Sequence, residues 1–230
     1  MSNFSVEKQV PYYEQFYHAI KQMIFDGKYK PGERINETQL AKEFNVSKSP
    51  IREAVRILEN EGLLLVKNSK VIVYEPTLKD VKDIYFCRKA LESFAVGLTT
   101  RIINDAELKE IENTLSETEK AIKAKKDANT IISLNEQFHN LILAYTQNSR
   151  LQKQVNDLKG LMYFFRILNF NGENRAEIIL EQHRQIFKFI KEGDDEQAAK
   201  EMIKHLELDV EHLVEVLTDS EKNPEYKESV

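Results

Sequence analysis

Residues 31–65, PGERINETQLAKEFNVSKSPIREAVRILENEGLLL, constrain the fold more than any other stretch, because they encode two short helices separated by a tight polar turn. Asn36 followed by Glu37, Thr38 and Gln39 has the capping-box pattern, in which the Asn side chain accepts a backbone N–H and the Gln reaches back to the cap. Leu40, Ala41 and Phe44 then share a face, and Asn45-Val46-Ser47 interrupts the run. Pro50 is tolerated only in the first turn of a helix, where its missing N–H would have no acceptor, so the second helix starts at Ser47 or Ser49. Ile51, Ala54, Val55 and Leu58 form its buried face, which leaves Ser47, Lys48, Ser49, Arg52 and Arg56 for the outer face or the exposed first turn. Hydroxyls and helix N–H groups suit phosphate oxygens, and an Arg fork suits guanine. Gly62 is expected to close the helix in a left-handed cap. Two β-prone runs follow, Leu63–Val66 and Val71–Tyr74, around Lys67-Asn68-Ser69-Lys70. Helix, helix, hairpin is the order of a winged helix-turn-helix, with the basic loop and Lys70 at the wing tip.

A formal charge of −5 argues against a broad DNA-attracting field. The charge is uneven, however: through Thr77 there are 11 basic and 10 acidic residues, and from Leu78 onward 22 and 28. Between Lys42 and Arg56 four basic residues face two acidic ones. Any attraction to DNA is therefore local, doubled in a dimer, and sensitive to salt. No run approaches the roughly 20 apolar residues that span a bilayer, and no basic segment followed by an apolar core opens the chain, so a cytoplasmic location with no membrane partner is expected. The single cysteine, Cys87, excludes a disulfide within the chain, and its apolar helical surroundings predict a buried structural thiol.

Beyond Glu75-Pro76-Thr77 the pattern is helical throughout. Punctuation by Asn104, Asn148, Asn171-Gly172 and Gly193-Asp194 predicts six helices, at about 78–103, 105–125, 128–146, 149–168, 174–192 and 194–217. The fold class is thus mainly α: a winged helix-turn-helix over 1–76, an all-α six-helix bundle over 77–218, and a polar tail over 219–230 expected to be mobile. Asn135 and His139 share a face of the third bundle helix, while His183 and His205 lie on the fifth and sixth. Three imidazoles and an amide oxygen can converge on one metal, although each His alone is also compatible with an ordinary core or surface role. His212 is read as a surface or dimer-contact residue and His18 as non-functional. Arg88 can pair with Glu92 four residues on, point into the bundle at a carboxylate ligand, or do both, since a Glu can hold the fork in place, and Arg166 is a second candidate for an anionic ligand beside the aromatic run Tyr163-Phe164-Phe165.

Residues 12–74 resemble the N-terminal domain of GntR-type transcription regulators, through Gly27, Pro31-Gly32-Glu33-Arg34, Leu40-Ala41, Val46-Ser47, Pro50, Arg52-Glu53-Ala54 and Leu58-Glu59-Gly62-Leu63. The resemblance implies that Arg34, Ser47, Lys48, Ser49, Arg52 and Arg56 face double-stranded DNA. At the wing tip the family usually carries a Gly where this chain has Lys70 or its neighbour, which retains a phosphate contact but puts close approach to the minor groove in doubt. Residues 78–217 resemble the FCD effector domain of the FadR-like branch, and the six-helix count points to its VanR-like subgroup. The matching segments are Tyr85-Phe86-Cys87-Arg88-Lys89-Ala90-Leu91-Glu92, Asn135-Glu136-Gln137-Phe138-His139, Glu181-Gln182-His183 and Met202-Ile203-Lys204-His205-Leu206.

Many such domains bind a divalent metal with one Asp and three His, and here Asn135 stands in place of the Asp. An Asn offers a neutral oxygen without charge, so hard cations should bind weakly, and zinc or nickel is the expected cofactor. The resulting expectation is a homodimeric, ligand-responsive repressor or activator that reads a short inverted repeat and responds to a small organic acid. Two other classes remain at this point. Glu136-x-x-His139 and Asp209-x-x-His212 partly match the pairing of helical-bundle metalloenzymes. A constitutive DNA-binding protein whose bundle only dimerises is the other.

Overall fold

The structure is a computed structural model that describes residues 10–170 and 172–222. Asn171 and the last eight residues of the polar tail lie outside the described residues. The chain divides into two compact units between Glu75 and Pro76.

The first unit opens with α1 (Tyr12–Phe25), whose Phe16, Ile20 and Ile24, one turn apart, are buried. Arg34–Ile35 form β1, followed by α2 (Glu37–Glu43) and α3 (Lys48–Asn60). Asn36 caps α2 by accepting from Thr38 N and Gln39 N at 3.1 and 3.2 Å. The expected return bond from Gln39 is not made: its amide donates to Glu43 at 2.9 Å, so only half of the capping box forms. Asn45 turns the chain at φ 53° between the two helices, and Gly62 follows α3 at φ 77°, as its left-handed cap requires. Ile51, Ala54, Val55 and Leu58 bury α3. Burial of Ile51, Val55 and Leu58 contributes roughly 1.5–3 kcal/mol each, enough to fix which face of the helix looks outward.

The hairpin is β2 (Leu64–Lys67) and β3 (Lys70–Val73), paired antiparallel from Leu64 with Val73 to Lys67 with Lys70. Two-residue β1 adds to the other edge of β3, with Arg34 opposite Ile72 and Ile35 opposite Val71, giving the order β1-β3-β2. Asn68 and Ser69 both turn the hairpin at positive φ, 52° and 58°. That conformation is the one Gly adopts most readily, and here it is held by two side-chain-bearing residues.

The second unit contains α4 (Leu78–Ile102), α5 (Asp105–Lys123), α6 (Ala128–Tyr145), α7 (Ser149–Asn156), α8 (Lys159–Asn169), α9 (Arg175–Glu192) and α10 (Asp195–Lys222). Thr77 and Asp80 close a full capping box at the start of α4, and Asn104 with Glu107 does so for α5. The all-helical class holds, but the predicted helix over 149–168 is two helices, α7 and α8, broken at Asp157 and Leu158. The apolar spacing continues across the break, and the Gly nearest to it, Gly160, lies just inside α8. The last helix continues to Lys222, beyond its predicted end at 217. α10 lies along both α4 and α9, and α5 packs on α6 and α9. Their shared core includes Tyr85, Val96, Ile111, Phe138, Ile142, Met162, Phe165, Ile186 and Leu206.

Cys87 is exposed, contrary to expectation. The reason lies in the rotation of α4. Its buried stripe carries Arg88, Glu92, Ser93 and two threonines, while Phe86 and Phe94 are 73% and 75% exposed. Several polar residues of this helix face inward beside Val81, Ile84, Tyr85, Ala95 and Val96, and Phe86 and Phe94 face outward, so apolar spacing alone misplaces Cys87.

Candidate functional site

The candidate DNA-facing residues come from β1, α3 with its N-cap, and the hairpin of the first unit. Arg34, Ser47, Lys48, Ser49, Arg52, Arg56 and Lys70 are all exposed. Ser47 precedes α3 with extended backbone and makes no cap bond, so Ser47, Lys48 and Ser49 stand at an uncovered helix N-terminus. Arg52, one turn later, has its Nε 3.4 Å from Glu37 Oε2 while its side chain stays 61% exposed. That contact with α2 limits the swing of the guanidinium without burying it. Lys70 is the first residue of β3, opposite Lys67, beside the Asn68-Ser69 turn.

In the second unit α6, α9 and α10 bring His139, His183 and His205 together. One ligand nitrogen from each lies within 4.8 Å of the others. The ring centroids are 4.9 Å apart for His139 and His183, 4.8 Å for His183 and His205, and 5.4 Å for His139 and His205. His183 stacks on Phe138 with centroids 4.2 Å apart. Burial pushes the His183 imidazole well below its ordinary pKa, with the nearby cationic groups adding to the effect. Burial takes His205 down to about 4, outweighing Asp209, which acts the other way. Both rings are therefore neutral near pH 7 and keep a nitrogen lone pair.

The hydrogen-bond inventory supports a binding site. Both nitrogens of His183, Nε2 of His205, and both side-chain polar atoms of Asn135 are buried with no hydrogen-bond partner among the described residues. Tyr85 Oη is a further buried atom of this kind. Buried polar groups are nearly always paired, and leaving one unpaired costs roughly 1–3 kcal/mol. Their concentration around one point fits a donor set for a metal: three imidazoles and the neutral oxygen of Asn135. A cavity of about 20 Å³ borders Asn135 and all three histidines. That is room for an ion or a water molecule.

Arg88 and Arg166 also line this cavity. Each is matched by a carboxylate. Arg88 Nε donates to Glu92 Oε1 at 2.6 Å, and Arg166 Nη1 lies 3.1 Å from Glu136 Oε1, too poorly aligned for a hydrogen bond. Arg88 keeps its guanidinium carbon 4.6 Å from the Tyr85 ring centre. The two roles expected for Arg88 are compatible: it pairs with Glu92 and also borders the cavity. Glu136 and Asp209 are likewise engaged by arginines, Asp209 accepting from Arg175 at 2.7 Å, so neither partial enzyme motif assembles a carboxylate pair. His18 is exposed, and His212 is half-buried.

The sequence did not single out Asn169, Arg175 or Asp209 as a unit. Arg175 Nη2 bonds both Asn169 Oδ1, at 2.9 Å, and Asp209 Oδ1, closing one wall of the cavity. A buried Arg at the start of α9 and an Asp one turn after His205 were the available signals.

Residues 12–72 match the family described as bacterial regulatory proteins, gntR family, and residues 83–208 match the FCD domain. The chain is 45% identical over 224 residues to the uncharacterized HTH-type transcriptional regulator YdhC of Bacillus subtilis, covering 97% of this chain and all of that protein. It is 29% identical to the gluconate operon transcriptional repressor of Bacillus licheniformis, covering 86% of this chain and 83% of that one. Among solved structures, E. coli McbR/YncC has the same fold, with a TM-score of 0.75 at 23% identity over 90% of this chain and 99% of that one. Both curated relatives are described as transcription regulators. A winged helix-turn-helix followed by a helical FCD unit, matched along nearly its whole length by such a relative, places the chain in the GntR family of bacterial transcription regulators.

Proposed function

We propose that the protein is a homodimeric, metal-assisted regulator whose helical unit makes DNA binding conditional. The observation that carries this reading is the cluster of His139, His183 and His205 with unpartnered, buried nitrogens beside Asn135, in a chain whose other unit reads DNA. Neutral imidazoles favour zinc or nickel over magnesium or calcium. Bound there, a metal would supply a positive charge and open coordination positions for an anionic ligand. The protein's own residues hold the ring nitrogens out of water, and Arg166 and Arg88 place cationic groups beside the cavity.

A small organic acid remains the proposed effector, and the structure adds a condition. A 20 Å³ cavity is too small for such a molecule, so its binding has to open the bundle or displace a carboxylate from an arginine. This requirement links occupancy to a change in helix packing. DNA binding would run through Arg52 in the major groove, with Arg34, Ser47, Lys48, Ser49, Arg56 and Lys70 positioning the helix and wing on phosphates. Two copies would read an inverted repeat. Phe86 and Phe94, exposed two turns apart on α4, fit self-association, since antiparallel α4 helices from two copies would set each Phe86 against the other Phe94 across Ala90. Repression is the proposed direction, in keeping with the printed role of the gluconate operon relative.

The test is metal analysis of full-length protein purified without chelator, with His139→Ala alongside. About one zinc or nickel per chain in the wild type and little in the variant is expected. Equal content in both, or none in the wild type after incubation with either metal, removes the histidine cluster as a metal centre.

A further inference from the structure

Glu92 on α4 stands between two groups that the proposed site uses. It is 5% exposed, and its two oxygens are both engaged: Oε1 accepts from Arg88 Nε at 2.6 Å, and Oε2 lies 2.7 Å from Nδ1 of His139 on α6. The Arg88 guanidinium keeps its charge in proteins, so the buried carboxyl paired with it at 2.6 Å is a carboxylate. An ionised carboxylate can only accept. The hydrogen between these two residues therefore sits on His139 Nδ1, and a neutral ring must carry its lone pair on Nε2. The second ring is held in a related way, with His205 Nδ1 2.7 Å from Gln182 Oε1 and its Nε2 buried without a hydrogen bond, 3.7 Å from Asp209 Oδ2. His183 has neither nitrogen held and is fixed by stacking on Phe138.

We infer that Glu92 is a positioning residue, which sets the tautomer and orientation of His139 so that Nε2 serves as the metal-binding nitrogen, and which joins that ring to Arg88 through a single carboxylate. The inference rests on the metal reading above and adds a residue that touches no metal itself. Metal-binding imidazoles are commonly held by such carboxylates, and loss of the partner typically costs about 10–100-fold in metal affinity. The arrangement also gives Arg88 a second role. An anion that draws Arg88 away from Glu92 changes the support of a metal-binding ring, so the two ligands would act on the same carboxylate.

Glu92→Gln separates this role from a purely structural one. Arg88 only donates, so the Gln oxygen must face it, and the amide NH₂ then faces His139 Nδ1. That nitrogen becomes an acceptor, the hydrogen moves to Nε2, and the lone pair turns away from the site. Zinc affinity of the full chain, measured by competition with a chromophoric chelator, is expected to fall about 10–100-fold. Glu92→Asp, which keeps an acceptor, should lose less. Nitrogen-15 correlation spectra of the histidine rings in metal-free protein, in mildly alkaline buffer, should show His139 as the Nδ1–H form in the wild type and the Nε2–H form in Glu92→Gln. Equal zinc affinity in wild type and Glu92→Gln, or an Nε2–H ring in the wild type, overturns the inference. A wild type that binds no zinc overturns the metal reading instead, and the ring spectra still decide the role of Glu92. If Glu92→Gln does not fold, the wild-type spectrum alone carries the decision.

Discussion

Replacing His183 with Leu should stabilise the metal-free protein and abolish its response to metal. The His183 side chain is 1% exposed, and both ring nitrogens are buried without partners. Each such group costs roughly 1–3 kcal/mol when left unsatisfied. Leu removes both at similar volume but gives up the stacking on Phe138, worth about 0.5–1.5 kcal/mol. The net expectation is a gain of about 0.5–5.5 kcal/mol in chelator, each kcal/mol raising the melting temperature by about 2–4 °C for a unit of this size. Wild type with free zinc at a hundred times its Kd should gain about 2.7 kcal/mol, and the variant nothing. Zinc therefore moves the balance toward wild type by about 2.7 kcal/mol relative to chelator, a shift the variant lacks. Thermal unfolding followed by circular dichroism in both buffers reads it. A variant less stable than wild type in chelator by more than about 1 kcal/mol would refute the idea that the empty imidazole is a cost.

Three further outcomes follow from the geometry. Arg52→Ala should weaken binding to a selected operator by about 1–3 kcal/mol and relax its sequence preference, measured by fluorescence anisotropy, since Arg52 is exposed and tethered only through Nε. Ser69→Gly, which places a residue suited to φ 58° in the wing turn, should raise the stability of the first unit by roughly 0.5–1 kcal/mol in urea unfolding; a loss would show that the Ser side chain matters more than its backbone strain. Phe94→Glu should shift the protein from dimer to monomer in light scattering, and an unchanged mass would remove the outer face of α4 as the self-association surface.

The winged helix was legible because its signals are local. Asn36, Pro50, Gly62 and the spacing of Ile51, Ala54, Val55 and Leu58 each act within one or two turns, and all of them specify the observed α2 and α3. The β1 strand was not legible, because two residues, Arg34 and Ile35, become a strand only by pairing with β3 almost forty residues later. The break between α7 and α8 escaped for the opposite reason: the apolar pattern runs through it. Cys87 was misplaced because apolar periodicity assigns the inward face of a helix to its apolar residues, whereas α4 turns Arg88 and Glu92 inward to face the histidines. The histidines could be named from helix spacing, but only the resemblance joined them into one site, since they come from three helices spread over 66 positions. What could not be read was the partnering. Glu92 bridging Arg88 and His139, and Arg175 closing on Asp209 and Asn169, depend on which faces three or four helices present to one another.

The account stands most directly on one comparison: the affinity of the full-length protein for an inverted repeat selected from random DNA, measured with the histidine site loaded with zinc, stripped by chelator, and loaded in the presence of small carboxylates. Coupling between distant sites is usually worth about 1–3 kcal/mol, so a change of roughly 5–150-fold between at least two of these states is predicted, and it should disappear in His139→Ala. Identical affinity in every state, with zinc bound, would contradict the claim that the helical unit controls DNA binding.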